Sequence, residues 1–198
     1  MTDPALTTVE IEPIGPVRSS VIWMHGLGAD AHDFEPIVPE LHLPVELGIR
    51  FVFPNAPIRP VTINNGMRMR AWYDVLSMDL PRQEDPDGVY ASERDIYALL
   101  EREKQRGVPA ERIVLAGFSQ GGAMALHTGL RYPDRLAGIL ALSCYIPLAS
   151  KLNSERRPAN QLTPIFMAHG DYDAVIPMRY GQQSAEALKA LGYAVEWS

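Results

Sequence analysis

The most constraining feature of this chain is Gly117-Phe118-Ser119-Gln120-Gly121, set between an apolar run at 112–116 and an Ala-, Leu- and Met-rich stretch at 120–130. Small residues on both sides of a serine let a strand turn sharply into a helix and let the two pass close together. The hydroxyl of Ser119 then projects above the carboxyl end of a sheet. The N–H of Gln120 points into the same space, at the positive end of the new helix. The competing reading is a glycine-rich turn whose serine merely caps the helix at 120.

The surroundings suit a strand-to-helix turn. Short continuous apolar runs lie at 20–24, 50–53, 112–116, 137–142 and 164–168, and another begins at 195–197. Continuous rather than alternating apolar runs fit strands covered on both faces. Between them stand helix candidates at 92–106, 120–130 and 178–191. The first opens on Ser92 with Asp95 three positions on, and Gly107 and Gly192 follow the first and third as stops. Strands alternating with helices predict a mainly parallel central sheet with helices on both faces, an α/β class. Residues 55–91, rich in Pro, Asn, Gly, Met and Asp, read as a long excursion over the sheet's edge.

Two further loops stand at strand ends. The run ending at Met24 enters His25-Gly26-Leu27-Gly28. A loop of this kind supplies a second N–H to an oxyanion, so the expected donors are Leu27 and Gln120. The run at 164–168 enters His169-Gly170-Asp171-Tyr172-Asp173, where an acid downstream of the serine is expected. Asp173 is the preferred acid, and Asp171 is read as bracing the turn.

Composition narrows the classes. A net charge of −6 argues against nucleic acid and anionic membranes as partners. Cys144 is the single cysteine, which leaves no intrachain disulfide and no zinc-type cysteine cluster. It lacks the glycine-flanked turn and reads as a buried, inert thiol. The first residues, MTDPALTTVEIEP, show no secretory signal, and the longest nearly apolar stretch, 136–149, is too short to span a bilayer. A cytoplasmic protein is expected.

Together HGLGAD, FPNAP, the Asn-Gly-Met to Trp-Tyr-Asp stretch, GFSQGGAMAL and HGDYDAVIP resemble the bacterial carboxylesterase/acyl-protein thioesterase family, a small cap-less branch of the α/β-hydrolases. The resemblance runs from about Val21 to the last residue. It implies hydrolysis of carboxylic esters and acyl thioesters, with acylated proteins as substrates of some members, and neither cofactor nor metal. It implies Ser119 as nucleophile, Asp173 as acid and the N–H groups of Leu27 and Gln120 as oxyanion donors, with Trp72 and Leu76 beside the acyl site. Ile176 joins them as a substrate-binding candidate, and Phe34, Met67, Met69, Met78 and Pro177 complete a shallow apolar pocket.

The resemblance also implies a histidine base downstream of the acid, beyond one more helix and strand. No histidine follows Asp173 in the 198 residues. His127 lies eight residues past Ser119, roughly 12 Å along a helix, out of reach of the hydroxyl. His25 and His169 both end strands and are read as bracing their turns. The expectation is therefore one domain over 1–198, cut short at its C-terminus and missing its last strand end and last helix. An unpaired edge there would favour a homodimer. The rival expectation is a non-catalytic acyl- or partner-binding protein on a hydrolase scaffold. A dienelactone-hydrolase-like reading would need cysteine in place of Ser119.

Overall fold

A computed structural model describes residues 5–77 and 84–198. In chain order the strands are β1 (Thr8–Ile11), β2 (Ser19–Met24), β3 (Ile49–Pro54), β4 (Ile58–Val61), β5 (Met67–Arg70), β6 (Ile113–Phe118), β7 (Gly138–Leu142), β8 (Ile165–Ala168) and β9 (Val195–Trp197). The helices are α1 (Ile37–Glu40), α2 (Pro86–Gln105), α3 (Gln120–Arg131), α4 (Ala149–Glu155) and α5 (Met178–Ala190). Seven strands form one sheet in the order β1-β3-β2-β6-β7-β8-β9. Every neighbouring pair is parallel except β1 with β3.

The period of two along each strand divides the core. Ile22 and Met24 of β2, Val52 of β3 and Ile113 and Leu115 of β6 face one side, joined by side chains of α2, α3, α4 and α5. Trp23, Phe51, Phe53 and Ala116 face the other, packed by Phe34 and by Val38 of α1. That second face opens along β6–β9 into a groove of about 690 Å³ lined by Val114, Leu140, Phe166 and Glu196.

All six expected strands are present. Three are additional: β1, and the antiparallel pair β4–β5 inside the 55–91 excursion. The expected helix at 92–106 begins earlier. Asp85 caps it, its Oδ1 accepting from Gly88 N at 2.9 Å, and Pro86 occupies the first helical turn. Ser92 lies inside the helix and bonds Trp72 O instead of capping. Met78, one of the expected pocket residues, lies outside the described residues.

A buried carboxylate fastens β1, β2 and β3 to α2. Glu103 is fully buried and accepts from Ser20 Oγ (2.6 Å), Arg50 Nη1 (2.9 Å) and Arg106 Nη1 (2.8 Å). The same arginines reach Glu12 and Glu10 on the N-terminal segment. Removing one partner of a buried ion pair strands the other charge in a poorly solvating interior. Glu103→Ala is expected to destabilise the fold by about 3–5 kcal/mol, read as a lowered urea midpoint with an unchanged slope.

Candidate active site

Ser119 is the residue between β6 and α3, and its backbone is at φ 54, ψ −120. Positive φ in a residue with a Cβ persists only where the surroundings over-determine it. Here Ser119 N donates to Leu142 O at 2.8 Å and Ala123 N donates to Ser119 O at 3.0 Å. The flanking glycines make the crossing possible. A Cβ on Gly117 would stand 2.2 Å from the carbonyl of Gly121, and one on Gly121 would stand 2.2 Å from Met24 O. Ser119 is half-buried at this bend.

The loop after β2 abuts the serine. A Cβ on Gly26 would come within 3.5 Å of Ser119 Cβ. Gly28 takes φ +79 and donates its N–H to Arg70 O at 2.9 Å. His25 locks the loop from within: Ala56 N donates to its Nε2 at 3.0 Å, which leaves the proton on Nδ1, 2.7 Å from Gly26 O. Burial lowers the pKa of His25, aided by Arg70, and the ring stays neutral. Among the described residues no backbone carbonyl takes the N–H of Leu27 or of Gln120.

The excursion closes over this bend through Trp72. Its indole Nε1 donates to His25 O at 2.9 Å and its backbone N donates to Gln120 Oε1 at 2.8 Å. Gln120 Nε2 in turn donates to Tyr73 O at 2.7 Å. Trp72 is wholly buried. The expected contact between Trp72 and an acyl chain is therefore closed in this structure, and the ring braces the 25–28 loop from behind. Leu76 is half-buried. Met69 lies against Gly28, its Sδ 3.7 Å from where a Cβ would be, and accepts from Asn64 Nδ2. Phe34 reaches Phe118 across 6.0 Å between ring centroids.

Asp173 follows β8. Its Oδ1 accepts from Val175 N and Ile176 N, both at 2.8 Å, and its Oδ2 lies 3.5 Å from His169 Nε2. The bracing expected of Asp171 is thus done by Asp173 itself, and Asp171 stands exposed, its side chain without a hydrogen bond among the described residues. The side chain of Ile176, an expected substrate contact, is buried in this structure, while Val175 beside it is exposed.

None of the five histidines hydrogen-bonds Ser119. Both nitrogens of His25 are committed, as described above. His169 is buried with Nε2 2.6 Å from Ile176 O. His127 is fully buried, and desolvation together with Arg131 lowers its pKa to about 3. His32 and His42 are exposed and occupied with Glu35 and with Glu40 O. β9 continues beside β8 to the rim that carries Asp173, with Ser198 N on Met167 O and His169 N on Ser198 O.

The sequence reading missed the carboxamide of Gln120 and the two ring contacts of His25. The only signals were their positions, next to the serine and at the end of a strand.

Residues 7–197 match the Phospholipase/Carboxylesterase family. Acyl-protein thioesterase 1 of Neurospora crassa is 41% identical over 189 residues, covering 91% of this chain and 77% of that protein. Acyl-protein thioesterase 1 of Mycosarcoma maydis is 39% identical, covering 93% and 82%. Among solved structures, SOBER1 of Arabidopsis thaliana superposes with a TM-score of 0.86 at 32% identity, covering 92% of this chain and 88% of that one. Acyl-protein thioesterase 2 of Zea mays gives 0.83 at 29% identity, covering 97% and 88%.

Cys144 is fully buried and desolvation pushes its thiol pKa well up. The native protein is expected to leave Ellman's reagent unreacted over an hour, and the urea-unfolded protein to release one equivalent. Fast native reaction would show an accessible thiol.

Proposed function

Since the chain belongs to the Phospholipase/Carboxylesterase family and is an ester- or thioester-hydrolysing enzyme of that family, we propose that it works through an acyl-enzyme on Ser119. The hydroxyl oxygen attacks the substrate's carbonyl carbon and its proton passes to a base. The N–H groups of Leu27 and Gln120 receive the negative oxygen, and the alcohol or thiol leaves with the proton. Water then repeats the attack and frees the acid. One such donor is worth about 10²–10³ in rate where it has been removed. The observation that carries this reading is the strained backbone of Ser119 beside Gly26, with the N–H groups of Leu27 and Gln120 on the adjoining segments taken by no backbone carbonyl among the described residues.

Asp173 is the proposed acid. Its carboxylate is held by two backbone N–H groups on the rim where β9 also arrives. None of the chain's five histidines hydrogen-bonds Ser119 in this structure. A shallow apolar wall of Leu27, Phe34, Met69 and Leu76 would meet the acyl group. The relatives named acyl-protein thioesterase support acylated protein as the substrate class. No described helix is long and apolar enough to cross a membrane, and the proposed setting is the cytoplasm. A second reading, an acyl-binding scaffold without turnover, draws on the lack of a histidine at Ser119.

A fluorophosphonate probe separates the two readings. It should label the protein at Ser119, and Ser119→Ala should abolish both the label and any hydrolysis of p-nitrophenyl acetate. Absent labelling would favour the scaffold.

A further inference from the structure

The carboxamide of Gln120 does work separate from its backbone N–H. It is 4% exposed, and both of its ends are used: Oε1 takes the N–H of Trp72 and Nε2 gives to the carbonyl of Tyr73. An amide is the side chain that offers one acceptor and one donor side by side without charge. The residue it grips is itself joined to the other loop, because Trp72 Nε1 donates to His25 O. Trp72 O is held by Ser92 Oγ from α2, and Asp74 N by Asp85 Oδ2. A continuous path therefore runs from Gln120 through Trp72 to His25 and Gly26, linking Gln120 to the loop that carries Leu27. The same grip fixes the start of the segment that ends in Leu76.

We propose that the Gln120 side chain is a positioning residue. It sets the separation of the Leu27 and Gln120 N–H groups through the Trp72–Tyr73 backbone, and it sets the acyl wall with them. This rests on the Ser119 reading given above. Donors aimed at a developing charge lose their effect within fractions of an ångström, and a misplacement of about 1 Å can cost about 10² in rate. The bland alternative is that the amide only satisfies two buried backbone groups.

Two substitutions in the full chain distinguish these roles. Gln120→Met keeps the length and removes both hydrogen bonds. Gln120→Glu keeps the acceptor but has a donor only while protonated, so the acid form reproduces the amide and the carboxylate faces the Tyr73 carbonyl. Hydrogen exchange by mass spectrometry would follow residues 25–28, 72–77 and 124–131. Turnover of p-nitrophenyl acetate and octanoate would be scaled to the probe-labelled fraction.

With Gln120→Met, exchange should quicken roughly 10- to 30-fold at 25–28 and 72–77, the worth of two hydrogen bonds, and stay unchanged at 124–131. The kcat per labelled site should fall about 10²-fold, with KM for acetate near wild type and the acetate-to-octanoate ratio altered. Gln120→Glu should approach the wild-type rate at low pH and fall away from it as pH rises through the pKa of the new carboxyl. Uniform quickening in all three segments, or an unchanged kcat per labelled site, would overturn the proposal. Turnover that survives Ser119→Ala would instead sink the nucleophile, and the exchange pattern would still judge Gln120.

Discussion

The structure depends on one close crossing of backbone. Where α3 leaves β6, Gly121 sits so near the end of β2 that a single methyl group would collide with Met24 O. That approach brings the 25–28 loop onto the serine and lets the first turn of α3 aim its N–H groups above the sheet. Packing and chemistry are thus decided by the same few atoms. Widening the crossing would separate Ser119 from Gly26 before it disturbed the large core.

The sheet was legible because its central strands are buried on both faces and so appear as unbroken apolar runs. Gly117 and Gly121 were legible because close approach leaves few other residues possible. The excursion was not, since its order comes from distant partners. Asp74 holds Thr62 through both carboxylate oxygens, and Asp85 serves at once as helix cap and as acceptor for Asp74 N. Pro86 directly after Asp85 is a local signal for the earlier helix start, and the reading from Ser92 passes over it. Ser92 is turned inward to Trp72 instead. The choice between Asp171 and Asp173 favoured the second residue, but its hold on its own loop appeared only with the backbone in place.

The histidines show why residue type is weak evidence without geometry. His25 ends a strand close to the serine and would pass a simple proximity test. Both of its nitrogens are already spent, one on Gly26 O and the other on Ala56 N. Its contribution is rigidity, delivered to the loop that bears the N–H of Leu27. Trp72 likewise is an aromatic near the site that supports it from the protein side.

The twist at residue 119 has a consequence for how such a chain would drift. A side chain held at φ 54 costs on the order of 1–3 kcal/mol, and glycine, at ease in that region, would remove the cost. Folding alone therefore favours losing the hydroxyl. On the proposal that Ser119 is the nucleophile, selection for turnover is what keeps serine there, and a lineage released from it would gain stability with the very step that ends its chemistry.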